Sequence, residues 1–223
     1  GGRGGGEGGR VGNEVGRGWG RGGGFGGRVE GSGGERAEVA YGGRDVMSQE
    51  LLAGVDGATP EADKRGRGAM GRAVGPGVLV ELGYSNRGAV ARNQHVGPMH
   101  PAWADVPALP YDPAKALEML TEAGMADFEM EVSSIDDDWR KNTTAAVVAQ
   151  LQDAGFNAKH TVIPGSTFWN DWTKYPFSST NWNHRPLDTQ ILGLAYRSGE
   201  AWNEAGFANA EFDALLAEAN SIA

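Results

Sequence analysis

The chain has 223 residues, a formal net charge of −9, 37 glycines and no cysteine. Lack of cysteine excludes disulfides, thiolate nucleophiles and zinc sites built on sulfur. Pro76 onward holds 19 acidic and 9 basic residues, a charge of −10, while the residues before it hold 10 acidic and 11 basic, a charge of +1. An acidic domain is a poor nucleic-acid binder, because phosphate affinity comes from clustered Lys and Arg. No run approaches the roughly 18 apolar residues of a membrane span. No basic-then-apolar signal peptide opens the chain, and it begins with Gly rather than Met, so the natural start is expected upstream.

From Gly1 to Arg44 nearly half the residues are glycine and aliphatic residues are scarce. Ordering a backbone costs roughly 1–2 kcal/mol per residue, and this stretch has too little apolar surface to offset that. Residues 1–75 are therefore expected to be low in complexity and disordered or non-native. The run Arg21–Arg28 is an Arg-Gly-Gly string with one Phe, a type that binds RNA by charge and stacking. Glu7, Glu14, Glu30, Glu35 and Glu38 dilute its charge. Arg is frequent and Lys is absent before Lys64, a composition that a GC-rich gene also yields in a wrong reading frame. Ser48–Ala53 has the length of a helical turn, interrupted beyond by Gly54, Gly57 and Pro60.

The texture changes at Val78. Val78–Leu82 is a short apolar run followed by a turn rich in Gly and Asn. Pro98, Pro101, Pro107 and Pro110 make His95–Pro110 an extended connector. Asp112 and Pro113 then predict a helix start, with Ala116, Leu117 and Leu120 on its apolar face and Gly124 as a left-handed stop. Phe128, Met130 and Val132 alternate as a strand. Asp136–Asp138 are expected to cap the next helix, which carries Ala145, Val148, Leu151 and Gln152 and ends at Gly155. Phe156, Ala158, His160 and Val162 alternate as a second strand closed by Pro164. A strand–helix–strand unit of this size predicts two parallel strands joined by a right-handed crossover. Ser166 or Thr167 is expected to cap a short helix with Phe168, Trp169 and Trp172. Phe177–Trp182 reads as a further strand. Asn209 is expected to cap a last helix with Phe212, Leu215, Leu216 and Ala219 inward.

Four segments in order carry a resemblance. They are Tyr111–Gly124 (Tyr-Asp-Pro-Ala-Lys-Ala-Leu-Glu-Met-Leu-Thr-Glu-Ala-Gly), Gln150–Gly155, the pair Phe168-Trp169, and Asn209–Leu216. Together they are similar to the family 5 solute-binding proteins of dipeptide, oligopeptide and nickel importers. Upstream, Ala73–Gly77 stands where that family usually has Ala-Ile/Val-Asp-Arg on a helix. Gly75-Pro76-Gly77 is expected to break such a helix and to mark a junction.

The resemblance implies an α/β fold: one lobe, residues 76–223, of a type II periplasmic-binding-protein-like molecule, with a mixed, partly parallel sheet and flanking helices. It implies a bilobal protein that closes on a peptide-like ligand by hinge motion. It also implies a membrane-embedded ABC permease as partner, a periplasmic or extracytoplasmic location, a monomer, and no nucleic acid, cofactor or enzymatic activity. The family's Trp-x-x-Asp-x-x-Asp/Glu segment enters the ligand cleft, its first Asp pairing with a peptide amino group. Its counterpart runs from Trp182 through Asn183, His184 and Arg185 to Asp188, and Arg185 stands where that Asp would be. Guanidinium suits a carboxylate or phosphate, not an ammonium, so this substitution disfavours a free dipeptide; otherwise Arg185 faces solvent.

His95, His100, His160 and His184 show no helical metal-ligand spacing, so no metal site is expected. Asp136–Asp138 reads more readily as a helix cap than as a cation cluster. Trp169, Trp172, Tyr175 and Trp182 are candidates for an apolar cleft or for core. The alternatives are a Gly/Arg-rich nucleic-acid-interacting protein and a hydrolase-like enzyme, but no nucleophile elbow or phosphate loop supports the latter.

Overall fold

A computed structural model describes residues 28–31, 34–39, 64–90, 95–98, 100–182 and 185–222. Its elements are β1 (Arg28–Gly31), β2 (Gly34–Val39), α1 (Lys64–Ala73), α2 (Pro76–Tyr84), β3 (Gly88–Val90), α3 (Pro113–Glu122), β4 (Met130–Ile135), α4 (Asp138–Asp153), β5 (Ala158–Ile163), α5 (Gly165–Asp171), β6 (Ser178–Ser179), α6 (Asp188–Ala195) and α7 (Ala210–Ser221).

The strand–helix–strand expectation holds. β4 and β5 run parallel, Met130 opposite Ala158 through Ile135 opposite Ile163. β6 pairs parallel with the other edge of β4, Ser133 opposite Ser178, so the strand order is β5-β4-β6. As the central strand, β4 buries Met130 and then every residue from Val132 to Ile135, as a strand covered on both faces must. The expected strand Phe177–Trp182 shortens to two residues. Past Ser179 the chain leaves the β4 edge, and the side chains of Thr180 and Trp182 donate to the Glu204 carboxylate.

The main core joins α1, α2, α3 and α4 to this sheet. Leu79, Leu120, Met130, Val132, Val147 and Leu151 are at most 2% exposed, and each full burial of such a side chain contributes about 1.5–3 kcal/mol. α1 packs along α3, and α2 along α4. Gly83 permits the second crossing: a Cβ there would stand 2.7 Å from Thr143 Cβ and 2.8 Å from its Cα. Buried Thr143 and Thr144 satisfy their hydroxyls inside α4 by donating to the carbonyls of Trp139 (2.6 Å) and Arg140 (2.9 Å).

Helix boundaries test the local readings. Asp112 Oδ1 accepts from Lys115 N at 2.9 Å, with Pro113 at the first helical position, as expected. Gly124 and Gly155 adopt φ of +73° and +90° after α3 and α4, also as expected. Asn209 Oδ1 caps α7 through Phe212 N at 3.0 Å. Three readings are corrected. Asp137 is the N-cap of α4, but its carboxylate caps no amide and takes Arg140 Nη1 at 2.9 Å, while Asp136 takes Lys141 Nζ at 3.0 Å. α5 starts two or three residues earlier than expected, after Pro164, whose carbonyl accepts from Thr167 N and Phe168 N, and neither Ser166 nor Thr167 caps it. On α7, Leu216 is buried, but Leu215 is 59% exposed and Ala219 is exposed, because α6 covers a narrower stripe than the apolar pattern spans.

The core also reaches upstream of the expected boundary at 75/76. Ala69, Met70, Ala73 and Val74 belong to it, and Val78–Leu82 lies in α2. The Gly75-Pro76-Gly77 break exists as a joint between two helices. Gly75 is an extended N-cap (φ −84°, ψ 111°) and Pro76 occupies the first turn, where its missing N–H costs nothing. Within the segment read as disordered, β1 and β2 pair antiparallel and β2 runs parallel to β3. Ser48–Ala53 and most of Arg21–Arg28 lie outside the described residues.

Candidate functional site

The chain visits β4, then β5 on one side, then β6 on the other. In open α/β sheets, the carboxyl edge at such a reversal is where a crevice forms. Three segments leave the sheet there: Asp136–Arg140 after β4, Pro164–Trp172 after β5, and Thr180–Trp182 after β6.

Glu204 organises the last of these. Its carboxylate is 4% exposed and accepts from Thr180 Oγ1 at 2.6 and 2.7 Å and from Trp182 Nε1 at 3.0 Å. Burying a carboxyl group without such donors would be costly. The loop that supplies Glu204 is held by Asn203, whose Nδ2 donates to the carbonyls of Arg197 (3.1 Å) and Phe207 (2.7 Å) and whose Oδ1 accepts from Phe207 N.

Around this carboxylate the indoles pack edge to face, the arrangement their ring quadrupoles favour. Trp182 meets Trp172 at 5.9 Å and Trp202 at 6.0 Å, Trp172 meets Trp202 at 6.4 Å, and Trp169 meets Trp172 at 6.1 Å. Trp182 is only 4% exposed, whereas Trp202 is 47% and Trp169 39%. The open aromatic surface therefore belongs to Trp202 and Trp169. Trp182, a candidate for cleft or core by sequence, lies beneath them, packed with Ile191 and Ala195 of α6. Phe168 is fully buried and stacks on Tyr175 at 5.3 Å. Sequence reasoning missed Trp202 and Glu204. Trp202 had no partner by spacing, and Glu204 looks like any surface carboxylate until the fold buries it.

Of the expected site residues, Trp182, Arg185 and Asp188 are described, while Asn183 and His184 lie outside the described residues. Asp188 is 8% exposed and opens α6, with its Oδ1 accepting from Thr189 N at 2.9 Å; a carboxylate is favourable at that positive end. Arg185 is partly buried. Gly97 N donates to His100 Nδ1 at 2.9 Å, which makes His100 Nε2 the donor to the Arg185 carbonyl at 3.1 Å. His95 packs between Trp182 (6.1 Å) and Tyr196 (5.5 Å).

A second cluster sits where β4 leaves the sheet. Arg140 Nε donates to Asn181 Oδ1 at 2.7 Å and Nη1 to Asp137, and the guanidinium lies 4.9 Å over the Trp139 ring. Burial pulls the Arg140 pKa down, with Asp137 opposing. The Asp137–Arg140 spacing of three was the available sequence signal. Across β4 and β5, Ser134 Oγ and His160 Nε2 stand 2.7 Å apart. Ser134 is fully buried and His160 partly exposed, so the Ser134 hydroxyl is closed to solvent. Burial, and then the charge of Lys141, depress the His160 pKa below 6.5. Among the described residues no three His, Asp or Glu side chains gather as metal ligands.

The sequence of residues 45–204, well over half of the chain, matches the model of bacterial extracellular solute-binding proteins, family 5, middle region. The chain belongs to that family. The match begins upstream of Gly75, so the junction expected there does not end the family's sequence. Similar solved structures include the oligopeptide-binding protein AppA of Bacillus subtilis in complex with a nonapeptide (22% identity, TM-score 0.62, 72% of this chain and 36% of that one). The murein tripeptide binding protein MppA of Escherichia coli is similar at 18% identity and TM-score 0.64, over 73% of this chain and 34% of that one. NikZ of Campylobacter jejuni, in complex with Ni(L-His), is similar at 18% identity and TM-score 0.59, over 71% of this chain and 36% of that one. These likenesses establish the type II periplasmic-binding-protein fold, and the chain spans about a third of the length of these three. No curated protein sequence matched. No described helix of this family member is long and apolar enough to cross a membrane.

Proposed function

We propose that this chain supplies the second lobe of the substrate-binding component of an ABC importer. The whole protein holds a peptide-like solute between two lobes in a periplasmic or extracytoplasmic compartment, as a monomer, and delivers it to a membrane-embedded permease. Family membership supports the class. The observation that carries the reading is the carboxyl edge of the β5-β4-β6 sheet, where the Trp182–Asp188 segment follows the reversal of strand order. Trp182, Asn183, His184, Arg185 and Asp188 are the ligand-binding residues of this proposal. Trp182 backs the site, Arg185 takes an anionic group of the solute, and Asn183 offers amide hydrogen bonds. In this reading the protein binds without turnover, and the fully buried Ser134 hydroxyl supports it. The relatives' nonapeptide and murein tripeptide motivate a peptide-like ligand, and Arg185 favours one with a carboxylate or a blocked amino end.

Titration calorimetry on the two-lobed protein tests this. Arg185→Asp weakens an amino-blocked acidic peptide by roughly ten- to hundredfold and improves a free-amine peptide. Unchanged affinity for both removes Arg185 from the cleft. If neither peptides nor a nickel–histidine chelate bind, the transport reading fails. Hydrolysis of a peptide or ester probe favours an enzyme instead.

A further inference from the structure

The buried placement of Trp182 leaves a question that Trp202 answers. Trp202 touches both Trp182 and Trp172, the indoles that follow β6 and α5, yet keeps 47% of its surface open. An indole half open to water above two others is a large apolar face at the carboxyl edge of the sheet. It is also held in place from below. Glu204 lies two residues along the same loop and is bonded to Thr180 and Trp182, and its own N–H donates to the Trp202 carbonyl at 2.9 Å. The loop carrying Trp202 is thereby locked to the segment that carries Trp182 and Arg185.

We infer that Trp202 is a specificity-determining residue that receives an apolar or aromatic side chain of the bound solute, and that Glu204 positions it through Thr180 and Trp182. This rests on the ligand-binding reading of the Trp182–Asp188 segment. It assigns selectivity within that site to residues outside the segment. The indole supplies a flat surface and the buried carboxylate supplies rigidity, so the solute side chain meets a pre-organised face and loses less in ordering it. Trp169, 39% exposed and joined through Trp172, extends the same face.

The test uses the full 223-residue chain labelled with 5-fluorotryptophan, which gives one fluorine signal for each of its 7 tryptophans. Trp202→Phe assigns the Trp202 signal. Titration with Gly-Phe-Gly, amino-blocked by acetylation like the triglycine control, is expected to shift that signal saturably, and triglycine to leave it in place. Trp202→Ala is expected to weaken Gly-Phe-Gly by about two- to tenfold, the range of one aromatic contact, and triglycine by less than twofold. Trp202→Phe should keep most of the preference. Glu204→Gln should move the Trp182 indole N–H signal and narrow the ratio of the two affinities. A purely structural role would lower both affinities alike and keep their ratio, and that result overturns the inference. Binding of Gly-Phe-Gly with an unmoved Trp202 signal in the wild type overturns it as well, while the proposed function stands. Absence of binding by either peptide overturns the inference, while the proposed function is decided separately on the two-lobed protein.

Discussion

Gln150 of α4 reaches across to the joint between α1 and α2, where its Oε1 accepts a hydrogen bond from Gly75 N at 2.8 Å. The bond spans 75 residues of sequence and satisfies an amide that stands free at the start of α2. It also fits Gly75 to its place: a Cβ there would come 3.2 Å from the same oxygen and 3.5 Å from the Tyr111 ring. Gln150→Ala should therefore destabilise the chain by about 1–2 kcal/mol, the cost of an unmet, partly buried amide. Gln150→Glu keeps the acceptor and should lose less. Urea unfolding of the two variants measures the difference, and equal losses would mean that the bond contributes nothing.

Two glycines on α2 should respond in opposite directions. Gly77 has open space around a built Cβ, so Gly77→Ala should gain about 0.4–1 kcal/mol through the unfolded chain and helix propensity. Gly83 would drive its Cβ into the backbone of Thr143. Gly83→Ala should cost about 1–3 kcal/mol because α2 and α4 must separate, which exceeds the propensity gain. Thermal unfolding of both variants checks the sign. Stabilisation by Gly83→Ala would show that the two helices are not in this close contact.

His160 should make stability fall in mild acid. Its folded pKa is depressed below 6.5 by burial first and by Lys141 second. The unfolded chain then binds the proton more readily than the folded one. The associated stability is fully present above pH 6.5 and is lost as pH falls from there through the folded value. His160→Gln, which keeps a partner for Ser134, should flatten this part of the pH profile. Urea midpoints at several pH values decide it. An identical slope in wild type and variant would assign the loss to carboxylates instead.

The sequence by itself determined those features whose cause is local. Asp112-Pro113 starts a helix because one residue caps and the next needs no donor, and Asn209 caps by the same short reach. The alternating runs ending in β4 and β5, with a helix of crossover length between them, dictated parallel strands. The ordered segments from Tyr111 to Leu216 were enough to point to the family. Other features depend on contacts between distant residues. Asp137 looked like a cap, but Arg140 and Asn181 form a better-placed partnership once α4 meets the end of β6. Gly75-Pro76-Gly77 looked like an ending, and Gln150 makes it a joint. Trp182 fitted a cleft or a core by sequence, and Glu204 looked like a solvated carboxylate. Folding the 197–207 loop onto β6 buries both and leaves Trp202 facing outward. A one-dimensional pattern specifies which residues avoid water, but only tertiary packing decides which of several tryptophans is left at the surface and which carboxylate is given enough donors to be buried.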